Sequence, residues 1–371
     1  MLLAGALVAA PAAARDLHVG PDRELRVPSQ AARIARDGDR VLIDAGVYAG
    51  DAAVWLADNL HIAAAGGEVV LRADGAHAEG KAIWVVKGRN TLVQGIAFEG
   101  AVVPDGYGAG IRHEGLGLTL QRCRFEHNQM GLLSHNDPRD EILIEQSRFA
   151  HNGPGPRHNH NLYVGRIAKL VVRASWLHHA RIGHNLKSRA AVTHLLYNRI
   201  MDESEGYSSY AVDLPDGGDA LLLGNVIQQG PRTENWALVS YAAEGRRHSL
   251  DRLRMAHNTL VNDAADGVFV HVHPGETEVA LANNLLVGPG QAYLGITPDT
   301  ARDVHLADAP FLDRTGFDYR LLDDPRVVDA ALALPAGMPR PEREYQHEAR
   351  DISRPIIGPA PDVGALERRS R

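Results

Sequence analysis

The sequence predicts an all-β protein folded as one solenoid, a parallel β-helix with three short strands per turn. Three observations predict it. First, a large apolar residue recurs at one place: Phe98, Phe125, Phe149, Leu177, Ile200, Ile227, Leu260 and Leu286, at intervals of 27, 24, 28, 23, 27, 33 and 26 residues. Second, two residues before each, from Phe125 onward, stand Cys123, Ser147, Ser175, Asn198, Asn225, Asn258 and Asn284. Stacked Asn amides hydrogen-bond one another along a coil, so a run of Asn at one place marks a bend repeated turn after turn. Third, Gly is frequent (37 of 371 residues) and aromatics are scarce (5%), which suits short strands and turns better than packed helices. Propeller blades need ~40 residues or more per unit, and the L-x-x-L-x-L phrase of leucine-rich repeats is absent.

The elements follow in order. Residues 1–14 read as a signal peptide: an apolar run from Leu2 to Ala10, then small residues up to Ala14. That predicts export, to a periplasm or beyond. No other apolar run is long enough to span a membrane. The single cysteine, Cys123, excludes an intrachain disulfide.

Residues 28–37 read as a short amphipathic helix, followed by Gly38-Asp39-Arg40-Val41-Leu42-Ile43-Asp44-Ala45-Gly46-Val47-Tyr48. This helix and phrase resemble the opening of secreted right-handed parallel β-helix proteins. The resemblance implies a right-handed coil over residues 15–300, with the helix covering its first turn. A cap is needed there because an open end exposes unpaired backbone groups. From residue 301 Pro and Asp rise. Phe317-Asp318-Tyr319-Arg320-Leu321 and Pro361-Asp362-Val363-Gly364-Ala365-Leu366-Glu367 resemble closing phrases of the same family. Residues 301–371 are therefore expected to lie along the coil as a capping tail, within a single domain.

One strand of each turn aligns as Gly110–Glu114, Gly131–His135, Asn161–Gly165, Asn185–Arg189, Ala211–Pro215, Ala237–Tyr241 and Val268–Val272. The second column (Ile111, Leu132, Leu162, Leu186, Val212, Leu238, Phe269) is apolar and must point inward. Side chains alternate along a strand, so columns one, three and five point out. The outward face then carries Arg112, His135, Asn161, Tyr163, Asn185, Lys187, Arg189, Asp213 and Tyr241, with Tyr163, Lys187 and Asp213 stacked on consecutive turns.

Charge marks the same place. The chain has formal net charge -7, yet residues 146–201 hold no Asp or Glu, nine Lys/Arg and seven His. A local reversal of sign marks the seat of a charged partner. Two near-copies of one phrase lie inside it, His160-Asn161-Leu162-Tyr163 and His184-Asn185-Leu186-Lys187. Loops at residues 152–159 and 202–210 border these strands, and loops on a rigid scaffold build sites. The expected partner is an acidic polysaccharide or oligosaccharide. Nucleic acid is not expected for an exported chain with so local a positive charge, and a monomer is expected.

β-Elimination of a uronate needs cations on the carboxylate, a base for the C5 proton and an acid for the leaving oxygen. The candidates for catalysis are Lys187, Tyr163, Arg189 and His184. Those for substrate binding are Asn161, Asn185, His160, His158, Asp213, Tyr241, His135 and Arg112. The site resembles that of β-helix polysaccharide lyases, in which a Lys and an Arg act as base and acid. That resemblance falls on Lys187 and Arg189, which here share one strand. No cofactor is expected; a Ca²⁺ held by Asp202, Glu203 and Glu205 is the alternative. His158 and His160 with His184 are expected to pack and hydrogen-bond in preference to binding a metal. His135-Asn136-Asp137-Pro138-Arg139-Asp140 resembles the Asp-Pro-His-Asp phrase of mannuronan C5-epimerases, with Arg139 where the His would stand. The leading expectation is a polysaccharide lyase. A glycoside hydrolase, a C5-epimerase and a non-catalytic glycan-binding or structural β-helix are the alternatives.

Overall fold

The computed structural model describes residues 14–153, 159–297 and 303–369. The signal-peptide expectation, apart from Ala14, and His158 lie outside the described residues. The chain winds into a right-handed parallel β-solenoid whose strands form three ladders. The first runs from Asp16–Val19 through Arg40–Ala49, His61–Arg72 and Arg89–Gln94 to Glu278–Ala282. The second begins in the C-terminal halves of the long strands Arg40–Ala49 and His61–Arg72, passes through Ile96–Glu99 and ends at Val304–Leu306. The third has ten rungs, from Ala53–Trp55 to Gln291–Leu294.

The recurrent apolar place is one continuous row of the second ladder. Phe98, Phe125, Phe149, Leu177, Ile200, Ile227, Leu260 and Leu286 pair rung by rung, and all are buried. The rings of Phe98, Phe125 and Phe149 stack with centroids 4.9 and 4.6 Å apart, the spacing of the strands that carry them. The polar row beside it is a hydrogen-bonded ladder. Asn198 donates to Asn225 (3.0 Å), Asn225 to Asn258 (2.9 Å), Asn258 to Asn284 (2.8 Å) and Asn284 to Asp303 (3.0 Å).

The opening helix spans Pro28–Ile34, shorter than expected, and packs on the strand Ala53–Trp55. Pro28 suits a first helical turn, where its missing N–H costs no bond. Asp39 ends the helix: its carboxylate accepts from the Arg36 amide at 2.9 Å and from Arg15.

In the tail, Phe311–Asp313 pairs antiparallel with Asp318–Leu321, and Arg343–Gln346 with Arg350–Ser353. Phe311, Tyr319, Leu321, Val363 and Ala365 share an apolar cluster with Met201, Val226, Val261 and Leu285 of the coil. The closing phrase is structural. Buried Glu367 pairs with buried Arg354 at 2.9 Å, and the Ala365 amide donates to Thr259 Oγ1 at 2.9 Å. Gly364 has φ +97°, and a Cβ there would come within 2.7 Å of Thr259 Oγ1.

The third ladder departs from the expected alignment at one step. Leu214, not Pro215, pairs with Tyr241, and Asp213 pairs with Ser240. Tyr241 therefore points inward. It is fully buried, and its hydroxyl donates to the Gly218 carbonyl at 2.6 Å. Leu238 and Val239 are both apolar and both buried, so alternation could not choose between them.

Candidate active site

Tyr163, Lys187 and Asp213 occupy one outward column on consecutive rungs. Rungs ~4.8 Å apart bring their side chains together. Lys187 Nζ lies 2.9 Å from Asp213 Oδ2 and 3.3 Å from Glu244 Oε1. His184 Nδ1 accepts the Tyr210 amide at 3.1 Å, so the ring proton sits on Nε2, which faces Asp213 Oδ2 at 3.3 Å. Asp213 thus joins Lys187 and His184. Burial pushes its carboxyl pKa up, with Lys187 opposing.

Arg189 follows the strand Leu186–Ser188 and is held on three sides. Nε donates to Tyr163 Oη at 3.0 Å, Nη1 to Asp216 Oδ1 at 2.5 Å, and Nη2 to both Glu244 oxygens at 2.8 and 2.7 Å. Burial works against its charge, but Glu244 and Tyr163 outweigh it and hold the guanidinium more firmly protonated than usual. Asp216 also accepts from Arg166 Nε at 2.6 Å. Glycines allow this turn: Gly217 and Gly218 have φ +72° and +101°, and a Cβ on Gly218 would sit 2.7 Å from the Ala191 carbonyl. Burial tends to raise the Glu244 carboxyl pKa, yet Arg189 and Lys187 bring it below the ordinary value. Its side chain remains 48% exposed.

Several candidates sit elsewhere. Asn161 and Asn185, expected to face outward, are fully buried. They belong to a second amide ladder at the turn leading into the third ladder. Asn128 donates to Asn152 (3.1 Å), Asn152 to Asn161 (2.8 Å), Asn161 to Asn185 (2.8 Å) and Asn185 to Asp202 (3.0 Å). Asn161 and Asn185 stand just before the strands Leu162–Val164 and Leu186–Ser188, where the chain turns and the outward alternation does not apply. Tyr241 is in the core. His160 is buried, stacked on His184 (4.6 Å) and edge-on to Tyr163 (5.3 Å), and its Nδ1 accepts the His184 amide at 2.9 Å. Arg112 lies two rungs from Tyr163, with Leu133 between, and pairs with Glu114 at 3.2 Å. His135 and buried His113 lie 3.7 and 3.2 Å from buried Asp140, while Asp137 pairs with Arg139 next to it.

The three carboxylates proposed for Ca²⁺ have separate partners. Asp202 caps the amide ladder, Glu203 lies 3.7 Å from Arg199, and Glu205 lies 3.1 Å from Arg232. The expectation of a basic groove also needs correction. Later turns return Asp213, Asp216 and Glu244 to the carboxylate-free stretch, so its cations are largely paired. Glu244, Tyr210 and Arg166 were not foreseen. Glu244 reaches the site from a turn 55 residues beyond Arg189, and no local motif marks it.

A cavity of about 1060 Å³ lies between the coil and the tail hairpins and is lined by Arg199, Glu203, Tyr319, Tyr345 and His347. None of the residues around Lys187 lines it. The ion-paired cluster lies apart from it on the third ladder, with Lys187, Arg189 and Asp213 each at most 9% exposed and Glu244 half-exposed above them.

Fold and cluster together define a class: a right-handed parallel β-helix protein with an ion-paired set, Lys187, Arg189, Asp213, Asp216 and Glu244, gathered beside Tyr163 on its third ladder. Among solved structures, the chain is similar to the crystal structure of pectate lyase Pel9A, with a TM-score of 0.54 and 14% sequence identity over 96% of each chain. At that identity the likeness is one of fold. No family model and no curated protein matches the chain.

Proposed function

We propose that the protein cleaves an acidic, uronate-containing polysaccharide by β-elimination at the outer face of the third ladder. One observation carries this reading. Lys187 and Arg189 converge on a single half-exposed carboxylate, that of Glu244, and the same Arg189 donates to Tyr163 Oη. A uronate carboxylate taking the place of Glu244 would meet the same two cations. Its charge neutralised, the C5 proton becomes acidic. Tyr163, acting as the phenolate whose Oη accepts from Arg189 Nε, takes that proton and becomes the neutral phenol, while Arg189 meets the negative charge that builds on the substrate carboxylate. The electron pair forms the C4–C5 double bond as the C4–O bond breaks. Lys187, paired with Asp213 at 2.9 Å, gives a proton to the leaving oxygen. His184 positions Asp213. The fold shared with a pectate lyase supports the substrate class, and an extracellular polymer agrees with export.

The test is the ultraviolet absorbance of unsaturated uronate while purified protein acts on alginate, pectate, glycosaminoglycans and bacterial exopolysaccharides. A rise that Tyr163→Phe abolishes is expected. New reducing ends without that rise would replace this reading with hydrolysis. C5 proton exchange without cleavage would replace it with epimerisation. Binding alone would make the protein a glycan-binding module.

A further inference from the structure

A second histidine cluster lies apart from this site. Where the second ladder turns toward the third, His127, His151 and His179 follow in-register strand ends on successive rungs. All three have positive φ, 58°, 55° and 53°. The backbone of a non-glycine residue is uncommon there, and its repetition stacks the rings above one another. His151 and His179 have ring centroids 5.0 Å apart. His178, buried one residue before His179, brings its Nδ1 within 2.8 Å of His179 Nδ1. One nitrogen from each of His151, His178 and His179 lies within 4.8 Å of the other two.

We propose that His151, His178 and His179 form a transition-metal site, with Zn²⁺ as the ion it takes. Three imidazoles without a thiolate or carboxylate suit Zn²⁺ and its neighbours, and suit Ca²⁺ or Mg²⁺ poorly. Tetrahedral Zn²⁺ at ~2.0–2.1 Å from each nitrogen needs ring rotations that draw the more distant pairs in, and leaves one position open.

Arg148 sets the resting state. Its Nε donates to His178 Nε2 at 3.1 Å, so the His178 proton sits on Nδ1 and points at His179 Nδ1. On metal uptake that proton moves through solvent to Nε2, and the ion takes its place between the two Nδ1 atoms. Arg148 gives up His178 and keeps Glu126, 3.1 Å away. Arg148 therefore opposes binding through both its charge and its hydrogen bond.

The test uses tag-free, chelator-treated, full-length protein titrated with Co²⁺. One equivalent should bind with a visible d–d band, be displaced by Zn²⁺, and raise Tm. His151→Asn and His179→Asn should each abolish the band; Asn tolerates the positive φ, so the fold is kept. Arg148→Gln should tighten binding by about tenfold, which an adventitious ion would not show. His184→Asn should leave the band unchanged. Absence of the band, its survival in His179→Asn, or its loss in His184→Asn would overturn the assignment.

Discussion

Lys187 and Asp213 stand opposite each other on adjacent rungs of one parallel ladder, and their charged ends meet at 2.9 Å. The contact is nearly enclosed: both residues are at most 9% exposed. Asp213→Asn keeps the shape and removes the charge, leaving the Lys187 ammonium to Glu244 alone. Stability should fall by about 1–3 kcal/mol, read by urea denaturation, because a charged hydrogen bond in a desolvated place becomes a neutral one.

Glu244 occupies the place assigned to the substrate carboxylate. Glu244→Gln should then lower KM for an acidic oligosaccharide by about tenfold, since the competing anion is gone. Arg189→Ala should raise KM. A Glu244→Gln variant with KM unchanged or higher would remove Glu244 from that role.

Tyr163→Phe deletes one oxygen. Arg189 keeps Asp216 and Glu244, so circular dichroism and Tm should hardly change. Turnover should fall by roughly 10²–10⁴ with KM little altered, as for a group that acts only in proton transfer.

The Asn225 side chain makes four hydrogen bonds in the buried ladder: it accepts from the Asn198 amide and side chain and donates to the Leu195 carbonyl and Asn258. Asn225→Ala should cost about 2–4 kcal/mol in equilibrium unfolding, because it strands polar groups on both neighbouring rungs. Activity at the distant column should persist below the unfolding transition.

Acid should loosen the tail. His257 is buried, lies 3.1 Å from the Asp362 carbonyl and accepts from Asn283. Burial, then Arg354, pushes its pKa down from 6.5 to about 3. The unfolded chain takes the proton first, so the stability His257 contributes is full above pH 6.5 and is lost as pH falls toward 3. Near pH 5 the loss should be on the order of 2 kcal/mol, and His257→Gln should flatten that slope in urea midpoints measured across the range.

Much of this architecture was legible before any coordinates. The row from Phe98 to Leu286 and the Asn run beside it read out directly, since each lies at a nearly constant place in every turn and faces one environment. The Tyr163–Lys187–Asp213 column was legible too: its rows share an apolar neighbour (Leu162, Leu186, Val212) that sets the register. The reading slipped where that neighbour was ambiguous, at Leu238 and Val239, and so Tyr241 was placed outside. It also slipped at Asn161 and Asn185, which precede their strands and follow the turn.

The sequence by itself determined the coil, its internal rows and the position of Lys187 above Tyr163, because repetition converts distance along the chain into height along an axis. Only the tertiary structure decided what those residues meet. Asp216 and Glu244 return from later turns to a segment that has no carboxylates of its own, and His178 meets His179 and His151 across rungs. Such contacts depend on loop paths and on which way a side chain leaves a turn, and no periodicity in the chain encodes either.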